Sequence, residues 1–208
     1  MANIDNARGL VPYNMQSSEA LTRMTPYYVS TGANIGIGAP VVKTGTANTV
    51  DISTLSGQLA GFEHYKAGQL PVVAHATAGA GNAITGVVVA VARNPAAAGS
   101  IVRHKDTAVD SVVYVNDDPD TIYEMQCDGT LAATDIASGF DFAGTSLDTD
   151  TGNSTAEIDS TSAGTGGTEQ LKVLRVSPDP NNNDISSANC NFLVKITNHT
   201  ESNSNAGI

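Results

Sequence analysis

Apolar residues in this chain fall in short runs punctuated by Gly, Pro, Asn and Asp, and from residue 36 onward no stretch sustains a helical period. Ala39–Lys43 reads as a short edge-like strand, since Pro40 is tolerated at a strand start or edge. Gln69–Thr77 is another. After the Gly-rich turn Ala78–Asn82, Ala83–Val91 is the clearest core strand, because a continuous β-branched run is what burial on both faces selects. Ser111–Val115 stops at the turn signal Asp117-Asp118-Pro119-Asp120, and Thr121–Gln126 follows as a hairpin-like return. Leu171–Val176 and Asn191–Ile196 alternate apolar with polar, which predicts one wet face each. The pattern predicts an all-β fold: a β-barrel or sandwich-like body over residues 36–198 with at most short helices.

Three segments depart from that pattern. Thr134–Ser138 can start a short helix, since Thr or Asp caps free amides. Residues 144–168, mostly Gly, Ser, Thr and Asp, read as a flexible surface loop, and residues 199–208 as a polar tail, frayed from Glu201 to Ile208. Residues 1–35 carry no sustained period and hold Pro12, Pro26, Gly9 and Gly32 with Tyr13, Tyr27 and Tyr28 between them. Proline and glycine break regular structure, while tyrosine brings large contact area at low entropy cost. Two readings follow: an extended N-terminal arm ordered against a partner, or a first segment folded back over its own core.

Composition sharpens the picture. Only 15% of the 208 residues are charged, against roughly 25% in ordinary globular domains, and Trp is absent. The net charge of −11 is unevenly laid out. Residues 1–103 hold six basic and four acidic residues; residues 104–208 hold four and seventeen. Such asymmetry suggests that one part faces a partner and the other faces water. Ten basic residues scattered singly give no stripe for nucleic acid. No apolar run reaches the roughly 18–20 residues of a membrane span, so no membrane partner is expected. The first residues lack the layout of a signal peptide, which points to an intracellular protein or one assembled inside a cell.

No signature of chemistry emerges. Cys127 and Cys190 read as small buried thiols, with a disulfide as the alternative. His64, His75, His104 and His199 stand at no metal-ligand spacing and read as surface or strand-end residues. Asp148-Thr149-Asp150-Thr151-Gly152-Asn153 is spaced like the start of a calcium loop, but lacks the third ligand before the glycine and has Asp159 where the bidentate Glu belongs. Nucleophile elbows and phosphate loops are absent from the sequence. No catalytic residue, metal or cofactor is expected.

The opening Met1-Ala2-Asn3-Ile4-Asp5-Asn6-Ala7-Arg8-Gly9-Leu10-Val11-Pro12 resembles the start of small structural proteins encoded beside the major capsid protein of tailed bacteriophages. Similar wording recurs in Pro40–Lys43, Gly81–Val89, Val113–Asp120, Asp128–Asp135 and Leu171–Val176, so the likeness runs from residue 1 to about residue 198. These motifs are turns and strands, and they speak for a fold more than for an activity. The resemblance implies a capsid decoration, or cement, protein: a β-barrel-like body on the virion surface, often a trimer, partnered by the major capsid protein and assembled in the host cytoplasm. On the arm reading, the capsid contacts are Arg8, Pro12, Tyr13, Arg23, Tyr27 and Tyr28. Two other readings stand beside it: a minor capsid, head-fibre or tail protein with glycan-binding loops, and a hydrolase with an unrecognised site.

Overall fold

The computed structural model describes residues 2–13, 23–32, 34–54, 62, 64–92 and 104–202. Their strands are β1 (Val11–Pro12), β2 (Thr25–Val29), β3 (Pro40–Ala47), β4 (Pro71–His75), β5 (Gly86–Val91), β6 (Ser111–Asn116), β7 (Ile122–Gln126), β8 (Gly139–Phe140), β9 (Phe142–Ala143), β10 (Glu157–Ile158), β11 (Leu171–Val176) and β12 (Asn191–Ile196). Helical structure among these residues is limited to the 3-10 turns Ile52–Thr54 and Ala133–Asp135. In the second turn the Asp135 carboxylate accepts the Ala132 amide at 2.7 Å, which caps the piece expected near Thr134. The fold is all-β.

The first half of the chain closes a five-stranded barrel in the order β2-β4-β3-β5-β6. Its neighbours are antiparallel except β2 and β4, which meet in parallel at Tyr28 and Val72. The second half, with β1 from the start of the chain at one edge, builds an antiparallel sheet, β1-β7-β12-β11-β8, flanked by the ribbon β9–β10. Strand β5 joins the two. Val88 points into the barrel with Tyr27, Val41, Val73 and Val113, whereas Val87 faces the second core with Tyr123, Phe140 and Phe192. Both valines are fully buried, so the β-branched run does bury two faces. Each such side chain contributes roughly 1.5–3 kcal/mol relative to exposure.

Several expectations are corrected. Residues 1–35 are not a free arm where they are described: β1 pairs with β7, and β2 is a barrel strand in register with β6 from Thr25↔Val115 to Val29↔Ser111. Pro26 fits because β2 has a full partner on the β6 side and meets β4 at a single position. The boundary at residue 36 therefore cuts through the barrel. Residues 14–22 lie outside the described residues.

Strand β7 is not the hairpin partner of β6. It pairs with β12 and β1 instead. The intervening turn is stiffened by Asn116 Oδ1 accepting the Asp118 amide (3.1 Å) and Asp118 Oδ1 accepting the Asp120 amide (2.9 Å), and it carries the chain from barrel to sheet. Strand β11 keeps its wet face through Lys172 and Arg175, but β12 does not: Leu193 is buried opposite the core, between its register partners Glu124 and Arg175.

Residues 144–168 are also pinned rather than loose. Leu147 bridges Ser154, Glu157–Ile158 pairs with Phe142–Ala143, and Gly139 bridges Gly164, with Ala156 and Ile158 fully buried. The tail is folded as far as residue 202. Ile84 donates to Asn198 O (2.8 Å), Thr200 donates to Ile84 O (3.0 Å), and His199 is buried between them rather than at the surface. Residues 203–208 lie outside the described residues.

Candidate binding surfaces

The N-terminal segment lies across the sheet as a peptide held by amide side chains. Asn182 Oδ1 accepts the Ile4 amide (2.9 Å), while Ile4 O accepts both Asn182 Nδ2 and Gln126 Nε2 at 2.8 Å. Gln126 Oε1 accepts the Asn6 amide (3.0 Å), and Asn3 Nδ2 reaches the carbonyls of Asp184 and Ala188 at 2.9 Å. The segment uses the logic of strand addition, with main-chain groups satisfied by a receiving surface, but that surface is its own.

Each proposed contact residue is now placed. Arg8 pairs with Glu124 at 3.3 Å, and Glu124 also accepts Ser177 Oγ and Asn191 Nδ2. Pro12 stands opposite Tyr123 in β1, and the Tyr13 amide donates to Ile122 O (2.8 Å). Arg23 Nε lies 2.9 Å from Asp117 Oδ1. Tyr27 is corrected from contact residue to core residue: its ring lines the barrel and its hydroxyl donates to Asp117 Oδ2 at 2.9 Å. Burial first, then the Asp117 charge, pushes its phenol far above the ordinary value. Tyr28 is likewise corrected. It packs with Ile52, Phe62, Leu70 and Val112 and hydrogen-bonds Asp110. Alternating burial sends these two neighbours to opposite faces of one strand.

Asp117 is the node that the sequence did not disclose. It is 4% exposed and gathers Thr25 Oγ1 (3.0 Å), Tyr27 and Arg23, so the expected turn carboxylate anchors the start of β2. Among the described residues the exposed large hydrophobic side chains are Met24 (58% exposed), Ile4 and Val50, and Arg23 beside Met24 is exposed as well. Arg23 and Met24 are consecutive exposed residues immediately before β2.

Among the described residues, two concavities lie away from these contacts. One of about 510 Å³ is lined by Pro119, Asp120, Lys195, Ile196, His199 and Glu201. Its charges are already paired, Lys195 with Asp120 (2.6 Å) and Glu201 with Lys43. Burial lowers the pKa of His199, and its Nδ1 accepts the Glu201 amide (3.0 Å). A second, of about 340 Å³, is lined by small residues with Glu169 and Lys172. Among the described residues no group of three His, Cys, Asp or Glu is placed to hold a metal ion. In the calcium-like run, Asp148 instead accepts the Asp150 amide (2.9 Å) and Thr151 Oγ1 (2.8 Å), closing a tight turn. Cys127 and Cys190 are buried and free.

The charge asymmetry coincides with the architecture. The described residues of 25–116, whose strands make the barrel, carry three basic and three acidic residues; residues 117–202, which make most of the sheet, carry three and fifteen. One body is near neutral and the other strongly acidic. Comparison with family models, with curated proteins and with solved structures gives no match.

Proposed function

We propose that this chain is a structural virion protein that binds the outer surface of a tailed-phage capsid and cements neighbouring major capsid subunits, as a homotrimer. The observation that carries the reading is the coincidence of charge with architecture. A near-neutral barrel can lie close to a shell without long-range repulsion, while a sheet carrying nearly all the excess negative charge keeps the particle surface soluble. The sequence likeness over residues 1–198 supports the same role. Met24, 58% exposed next to the Arg23–Asp117 ion pair, gives the barrel an exposed flexible apolar side chain, and Met and Arg are residue types enriched at interfaces.

The test mixes the purified chain with undecorated capsids of the phage that encodes it, followed by sedimentation and electron microscopy. Saturable binding at a fixed ratio to the shell subunit, with density over the capsid surface, is expected. Met24→Asp should weaken that binding at least tenfold while leaving the unfolding midpoint unchanged, because Met24 packs on no core cluster. Absence of co-sedimentation and of surface density refutes the reading.

A further inference from the structure

The pairing of β7 with β12 runs from Ile122↔Lys195 to Asn191↔Gln126, one residue against one. Continued by one step, the same register sets Cys127 opposite Cys190. The Cys127 amide donates to Cys190 O at 3.0 Å, so the two backbones are still paired there. Both side chains belong to one hydrophobic cluster and therefore project from the same face of the sheet, 0% and 1% exposed. Opposed residues in antiparallel strands have Cα atoms about 4.5–5.5 Å apart. A disulfide needs about 4.4–6.8 Å. The backbone already holds the separation that the bond requires, although the chain has the thiols free.

We propose that Cys127 and Cys190 are a cross-strand thiol pair able to close as an intramolecular disulfide, and that packing of β7 against β12 seals whichever redox state the chain holds as it folds. The oxidant is a small-molecule disulfide of the glutathione class. A thiolate of one cysteine attacks it and releases one small thiol; the second cysteine then attacks the mixed disulfide and releases the other. Two protein S–H bonds are lost, one protein S–S bond forms, and the two electrons and two protons leave on two small thiols. The folded protein resists this exchange because no oxidant reaches the pair. Burial also pushes the thiols up to about 12 for Cys127 and about 11 for Cys190, which leaves little thiolate at neutral pH. Folding in a reducing cytosol gives the thiol form, and folding under oxidising conditions gives the linked form.

The experiment uses the full chain in two arms. In one, reduced and denatured protein refolds in a glutathione/glutathione disulfide buffer; in the other, native reduced protein is held in the same buffer. The refolding arm should give a monomer that has lost two hydrogens, with a Cys127–Cys190 peptide link by mass mapping. The effective molarity of the pair should be about a hundredfold above that of the denatured chain. The native arm should keep both thiols for hours. Folded product with free thiols, or with glutathione on each cysteine, overturns the pairing, as does an effective molarity no higher than in denaturant. Oxidation of the native protein as fast as in refolding overturns the seal. Cys190→Ser should abolish the link; should that variant fail to fold, the two wild-type arms still decide.

Discussion

Removing the Tyr27 hydroxyl tests the central correction made by the structure, that this tyrosine serves the barrel and not a partner. Tyr27→Phe keeps the ring and deletes one bond, the 2.9 Å contact to Asp117 Oδ2. Hydrogen bonds to charged groups contribute about 1.5–3 kcal/mol. Asp117 keeps Thr25 and Arg23 as donors, so the low end applies, about 1.5 kcal/mol. With a urea m-value of about 2 kcal/mol/M, the midpoint should fall by about 0.7 M at unchanged slope. Asp117→Asn should cost about 3 kcal/mol, since an amide offers one acceptor where three donors converge. Arg23 is 61% exposed and adds at most about 1 kcal/mol of that. The double variant should cost less than the sum of the two, by about 1 kcal/mol, because Tyr27 and Asp117 share a bond. Urea unfolding followed by circular dichroism gives all three values. A neutral Tyr27→Phe together with a coupling near zero would refute the network and return Tyr27 to the surface.

Three further predictions follow from the same reasoning. Gly9 has φ of +68° and its Cα faces the Gly38 carbonyl, so Gly9→Ala should destabilise by more than about 1 kcal/mol, read as a lower urea midpoint and faster amide exchange at Leu10. Glu157 has its pKa raised by burial and then by Asp5 and Asp128. The native state therefore holds that proton longer than the unfolded chain, and stability should fall as pH rises through the window just above 4.5; Glu157→Gln should flatten the slope there and leave the protein more stable at pH 7. Lys105, buried with Nζ donating to Ser30 O at 2.7 Å, has its pKa lowered by burial to about 8. The unfolded chain binds that proton more tightly, so stability should rise with pH from about 8 toward the range where the unfolded tyrosines begin to ionise, and Lys105→Met should remove the rise in chemical denaturation across that range.

What the sequence determined by itself is the inventory of strong strands. β3, β4, β5, β6, β7, β11 and β12 all fall within or across the runs read from periodicity, because β-branched alternation and Gly, Pro and Asp punctuation act over a few residues. The double-sided burial of Val87 and Val88, the turn at Asp117–Asp120 and the buried state of both cysteines were legible for the same reason. Partner choice was not. Val11–Pro12 has no period to read and becomes a strand only because β7 offers an edge. Thr25–Val29 looked like an arm because Pro26 and two adjacent tyrosines obscure alternation, yet closure of the barrel buries one tyrosine on each face. Nothing local ties Asn182 and Gln126 to Ile4, or Asp117 to Tyr27, since those contacts join positions distant in the chain. Residues 144–168 and 197–202 are poor in apolar side chains, and their order comes from bridges to Phe142, Gly139 and Ile84 that exist only once the sheet and barrel have formed. Local propensity sets which segments extend; long-range burial and the need to satisfy every buried polar group set what each segment meets.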